Sequence, residues 1–396
     1  MLIRLELKLR VDKYPHTIKE VTKEWLSVHL EGAVTHFDVE PLVLGAFSEA
    51  FRLHNLGYDN PGDQLPSSVV LKLPHSDRAQ REVALASGVY LKEVRFYADL
   101  AADAPVSCPK IFAVQEDGID RVESFAILME DLGQHSAVFD QLDDLPDEAY
   151  TRRIASEAAA LHARYWDSDI LAEPWLTSPE GKYTFPLDAA ARNCAQNFAL
   201  YSDVWNRIYG TSFWHGDDTG EFEKLTRIAT GPLCGTVVDR ITDILDSRPK
   251  TLIHGDLRPD NIFRTVGSTP NEAQITFIDW QLVCASPPGP ELGWAWFSLP
   301  TDLRRRDLKM LQSYHETLTG LAPTAAGYTL DHLIEDYRLS LVLWHMALIT
   351  IGAAMLSHAE TTADQRTIDL WRQGVPRFRT SLTDHGCLDM VQQLLI

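Results

Sequence analysis

The sequence predicts an α+β chain in two lobes: a small lobe with an antiparallel sheet and one main helix, and a larger, mostly helical lobe. Three observations carry this. Between residues 39 and 73, three short apolar runs alternate with turns rich in Gly, Asn and Pro, which is strand patterning. After Leu132 the pattern changes to long stretches with apolar residues at three- and four-residue spacing, the period of packed helices. Two short apolar runs, around Ile253 and around Phe277, interrupt those helices. The sequence reading divides the chain into residues 1–132 and 133–396.

Taken in order, residues 17–31 bring Ile18, Val21, Trp25, Leu26 and Leu30 to helical spacing. Strands are expected at 39–44, 50–56 and 68–73, with turns at Gly45 and at Gly57 to Gly62. Residues 77–102 read as helix and 125–129 as strand. The second lobe should hold helices at 148–166, 189–207, 222–246, 302–319 and 330–355. Residues 339–356 lack Asp, Glu, Lys and Arg and could mimic a membrane span. Ser340, His345, Thr350, Gly352 and the charged flanks favour a buried core helix, so no membrane partner is expected.

Bulk properties narrow the function. The chain has 396 residues, 45% of them apolar, enough for two or more domains or for two lobes sharing one cleft. A net charge of −20 speaks against nucleic acid, whose phosphates need a basic surface, and permits a cationic substrate. Five scattered cysteines without a C-x-x-C pair suit reduced thiols of a cytoplasmic protein. The charged N-terminus does not read as a signal peptide.

The chemistry concentrates in His254-Gly-Asp256-Leu-Arg-Pro-Asp-Asn261, which follows a short apolar run, and in Asp279, which ends the next one. Phosphoryl transfer from ATP needs an acid that accepts the proton of the attacking hydroxyl and two oxygen ligands for Mg2+. Asp256 fits the first role, and Asn261 and Asp279 fit the second. Lys72 interrupts an apolar strand and shares a face with Val70, opposite Val69, Leu71 and Leu73. Glu93 interrupts an apolar helical stripe of Val89, Phe96, Tyr97 and Leu100. An inward ammonium is costly unless paired. The two oddities explain each other if Lys72 and Glu93 pair over a nucleotide, with Glu82 the rival partner. The turn containing Gly45 and Ser48 would cover phosphates, and the carbonyl of Glu130 and the amide of Leu132 could meet an adenine edge. No G-x-x-x-x-G-K-[ST] is present, which excludes a P-loop kinase.

Six segments in order resemble the aminoglycoside phosphotransferase and choline kinase superfamily, nearest its choline/ethanolamine-kinase-like branch with the ecdysteroid kinases. They are Val69-Val-Leu-Lys72-Leu-Pro74, Lys92-Glu93-Val-Arg-Phe-Tyr97, Ile127-Leu-Met-Glu-Asp-Leu132, Leu161-His-Ala-Arg-Tyr-Trp166, the 254–261 segment and Phe277-Ile-Asp279-Trp-Gln281. The resemblance implies a protein-kinase-like fold, with Asp256 as catalytic base, Asn261 and Asp279 on Mg2+, and Lys72 and Glu93 holding the phosphates of ATP. Relatives carry Asp-Leu where this chain has Glu291-Leu292, so Glu291 is expected to brace the catalytic loop. His254 and His162 read as structural.

The expected activity is a small-molecule kinase acting on a hydroxyl group. An amino alcohol, an aminoglycoside-like sugar and a lipophilic alcohol all stay open as acceptors. Trp205, Trp214, Trp294, Trp296 and Trp344 could line an aromatic pocket or simply fill the core. The acidic run from Asp217 to Glu223 could meet a cation or simply be solvated. The rival readings are a catalytically silent nucleotide-binding regulator and a protein kinase. The absence of Asp-Phe-Gly at Asp279 disfavours the latter.

Overall fold

A computed structural model describes residues 14–42, 47–60, 65–118, 120–177, 188–270, 272–297 and 307–396. The chain forms two compact units. One runs to Ala137 and also takes in Thr276–Leu282; the other comprises Val138–Ile275 and Val283–Ile396. Thr276–Leu282 therefore belongs with the N-terminal unit, which a single cut at Leu132 misses.

The first unit holds a five-stranded antiparallel sheet of β1 (Val34–Pro41), β2 (Ser48–Tyr58), β3 (Val69–Pro74), β4 (Ile111–Glu116) and β5 (Phe125–Glu130), in the order β1-β2-β3-β5-β4. Helix α1 (Lys23–Leu30) starts later than its periodicity suggests, because the Thr22 hydroxyl accepts from the Trp25 amide and caps it there. A short 3-10 turn, Ile18–Glu20, precedes it. Trp25, Leu26 and Leu30 join Leu53, Val69, Leu71, Leu73 and Leu128 in one apolar cluster. The strand alternation expected of β3 is therefore met, with Lys72 on the opposite face. β1 lies earlier than the expected 39–44, Gly57 sits inside β2 rather than in a turn, and β4 was not anticipated. The expected helix over 77–102 is broken: α2 (Arg78–Ser87) ends at Gly88 with φ 67°, and α3 (Val89–Arg95) runs into a π turn, Phe96–Leu100.

The second unit is helical. Its elements are α4 (Glu148–Arg164), α5 (Asp188–Arg192), α6 (Cys194–Tyr209), α7 (Glu221–Ala229), α8 (Cys234–Asp246), α9 (Gly289–Phe297), α10 (Asp307–Leu321), α11 (Leu330–Thr362), α12 (Gln365–Asp384) and α13 (Cys387–Leu394). The expected helices at 189–207 and 222–246 are each split in two, and α9, α12 and α13 were not expected. The start of the expected helix at 302–319 lies outside the described residues. The strands β6 (Thr251–Ile253) and β7 (Cys284–Ser286) pair antiparallel, Cys284 opposite Ile253. α11 is long and apolar enough to cross a membrane, but 72% of its most apolar stretch is buried, as a core helix requires. Gly289 lets α9 approach α11: a Cβ there would lie 2.6 Å from the Asp336 carbonyl carbon.

His345 in α11 is 4% exposed and bonds Thr226 Oγ1 through Nε2 at 2.9 Å. The Thr226 hydroxyl donates to the Phe222 carbonyl, so His345 must be the donor, a neutral ring protonated at Nε2. Burial pushes the imidazole down to about 3. The folded value lies below the unfolded one, so the unfolded chain binds more protons in between. The stability of the neutral ring is present above pH ~6.5 and is lost as pH falls, by up to ~1.4 kcal/mol per unit. In urea titrations, His345→Gln should lower stability at pH 7 and flatten its decline from pH 7 to 5. An unchanged slope would show that another group sets it.

Candidate active site

In the first unit, β3 delivers Lys72 to two carboxylates. Nζ lies 2.7 Å from Glu93 Oε1 and 2.6 Å from Asp279 Oδ1. Side-chain exposures of 11%, 2% and 20% place all three largely out of water. Burial alone would lower the ammonium, but the carboxylates of Asp279 and Glu93 outweigh it and hold Lys72 above its ordinary value. Burial raises Glu93 above the usual carboxylate range, with Lys72 opposing the rise and Asp279 adding to it. The rival Glu82 is instead exposed and paired with Arg78.

Asp279 follows the strand Ile275–Phe277 and takes a positive φ of 66°, an unusual conformation for a residue other than glycine. Its Oδ2 accepts from Gln281 at 3.1 Å. Phe96 and Trp280 stack at 3.7 Å, fixing the segment against the π turn that follows α3.

The other expected nucleotide residues fall as follows. Gly45 lies outside the described residues. Ser48 is the first residue of β2 rather than part of a turn, and it is buried. Glu130 ends β5, with its own amide bonded to the Lys110 carbonyl. Leu132 opens a 3-10 turn and is buried. Asp131 between them is the anchor that sequence reasoning missed: it accepts from Arg52, from the Gly133 amide and from the Ser68 hydroxyl.

In the second unit β6 is followed directly by His254, fully buried, whose Nδ1 accepts from the Asp256 amide at 3.2 Å. Gly255 turns the chain with φ 83°, a conformation that disfavours side chains. Asp256 follows, 7% exposed. Asn261 ends the 3-10 turn Pro259–Asn261 and donates from Nδ2 to the Asp256 carbonyl at 2.9 Å and to Oδ2 at 3.1 Å. Arg258 Nε lies 3.4 Å from the same Oδ2. Trp294 Nε1 donates to Oδ1 at 2.7 Å.

Beneath the loop, Glu291 Oε2 accepts from the Gly255 amide at 2.8 Å and Oε1 meets His162 Nε2 at 3.0 Å. His162 Nδ1 in turn meets the Tyr314 hydroxyl at 2.5 Å. If Tyr314 donates to a neutral His162, and His162 to Glu291, every polar atom in this chain is satisfied. Glu291 thus braces the loop, as its position implied, and His162 is a satisfied core histidine.

The family model of the phosphotransferase enzyme family matches residues 52–326, a span that holds Lys72, Glu93, Asp256, Asn261, Asp279, Glu291 and Trp294. The chain belongs to the phosphotransferase enzyme family. Membership fits the aminoglycoside phosphotransferase and choline kinase superfamily that the six segments resemble. Among solved structures, a candidate aminoglycoside phosphotransferase from Ralstonia eutropha JMP134 is 15% identical with a TM-score of 0.50, over 92% of this chain and 97% of that one. That likeness shows the kinase-like fold, an N-terminal antiparallel sheet with a helical C-terminal part. A choline kinase from Cryptosporidium parvum Iowa II is 12% identical with a TM-score of 0.44, over 100% of this chain and 99% of that one. No curated protein matches the sequence.

Sequence reasoning paired Lys72 with Glu93 but did not foresee that Asp279 shares the ammonium, nor that Trp294 reaches Asp256. Trp294 stands three residues after Glu291, one helical turn along the same face, and that spacing was the available signal. The Trp296 side chain lies outside the described residues.

Proposed function

We propose that this phosphotransferase uses ATP and Mg2+ to phosphorylate a hydroxyl group of a small molecule, with Asp256 as the base. The observation that carries the reading is the buried Lys72 shared by Glu93 and Asp279. Two carboxylates around one ammonium leave an excess negative charge away from water, which a bound cation would offset. The donor set suits Mg2+, a hard ion that takes a few protein oxygens and completes its shell with phosphates and water. Asp279 would supply a carboxylate oxygen. Asn261 would supply Oδ1, since its Nδ2 is committed to Asp256. The metal, when bound, would neutralise charge on the phosphates. Lys72, set by Glu93, would steady those phosphates, and the backbone of Glu130 and Leu132 would meet the base of the nucleotide. Asp256 would orient the acceptor hydroxyl and take its proton. Because the transition state is loose, positioning and charge neutralisation would supply most of the acceleration.

Two measurements test this. ADP release across a panel of amino alcohols, aminoglycoside sugars and lipophilic alcohols should rise with at least one acceptor. Asp279→Ala should weaken binding of Mg-ATP in calorimetry far more than binding of metal-free ATP. Equal losses in the two titrations would remove Asp279 from the metal.

A further inference from the structure

We infer that Trp294 is a positioning residue for the reaction, holding the Asp256 carboxylate in its productive orientation through the indole N–H. The inference rests on the reading of Asp256 as base. A carboxylate on a loop can rotate about two side-chain torsions, and a donor on one oxygen alone leaves it free to pivot. Here the two oxygens are held separately: Oδ2 by Asn261 and Oδ1 by Trp294, the shorter bond at 2.7 Å. Indole is a donor only, so Trp294 can fix the carboxylate without ever competing for the proton.

The indole is itself fixed. Its ring stacks on Trp344 at 4.2 Å and 21°. Trp344 belongs to α11, and its own Nε1 donates to the Pro290 carbonyl of α9 at 2.8 Å. Helix α9 therefore grips the catalytic loop twice from one face, the Gly255 backbone through Glu291 and the Asp256 side chain through Trp294. A tryptophan serving packing alone would need only its ring.

Trp294→Phe keeps an aromatic ring on Trp344 and removes the N–H. With Mg-ATP and water as acceptor, the rate of ADP release should fall about 10- to 100-fold, the scale of a misplaced catalytic group, while KM for Mg-ATP stays unchanged. On an Asp256→Asn background the same substitution should cost little, because Trp294 acts through Asp256. An unchanged rate in Trp294→Phe, or the same loss on both backgrounds, would overturn the inference. Retained activity in Asp256→Asn alone would instead overturn the assignment of the base.

A measurement independent of turnover accompanies these. The Trp294 indole resonance in a 15N-labelled spectrum, assigned by its loss in Trp294→Phe, should move in Asp256→Ala. A resonance that stays in place would disprove the contact.

Discussion

Asp256→Asn should lower turnover by roughly 10²–10⁴, the usual contribution of a positioned acid or base, while leaving the fold and nucleotide binding intact. The substitution is nearly isosteric, so the bonds that Trp294 and Asn261 direct at this side chain keep an acceptor on at least one side. The carboxylate's capacity to take a proton is lost. Calorimetry with Mg-ATP alongside steady-state ADP release separates the two effects. Near-normal turnover would remove Asp256 from its role.

Glu291→Ala should be the most damaging change outside the residues proposed to hold the phosphates. Glu291 is 1% exposed, and it accepts from both the Gly255 amide and His162. Its removal leaves a buried amide and a buried imidazole without their acceptor and opens a cavity beside the loop. Removing one member of such a network costs about 3–5 kcal/mol. That corresponds to a fall in melting temperature on the order of 10 °C. Glu291→Gln keeps an acceptor for at least one of the two donors and should lose less. Scanning calorimetry of both variants checks the ranking, and equal melting points for Ala and wild type would show that the loop holds without this brace.

What could be read in the sequence was polarity out of place. Lys72 in an apolar strand and Glu93 in an apolar stripe violate local patterning, the Asp256-to-Asn261 spacing stands out as a motif, and the structure gives each of these residues a specific partner. What could not be read was contact made by residues in keeping with their surroundings. Trp294 in an apolar helix offers only its spacing from Glu291 as a signal, since the indole N–H matters only once α9 is placed beside the loop. Asp131 looked like part of a connector, and its three donors come from β2, from Ser68 just ahead of β3, and from the turn that follows it. One break within the helices was hidden, since Gly88 sits between two stretches of unbroken helical period; the break between α7 and α8 falls on Gly231-Pro232, a breaker pair that the sequence does display. Helix α12 carries an internal Pro376 and a polar composition, so its period was not recognised.

The excursion of Thr276–Leu282 into the N-terminal unit has a consequence for how the protein can be cut or recombined. A fragment ending at Ala137 contains Lys72 and Glu93 but not Asp279, which is encoded about 140 residues later. Such a fragment would keep the ammonium and one counter-ion and lose the residue proposed for the metal. Exchanging this half between relatives by one crossover would therefore join a lysine from one parent to an aspartate from the other. Inheriting the cluster whole takes two further crossovers flanking residues 276–282, so Lys72, Glu93 and Asp279 form a unit in space that is not a unit of the gene.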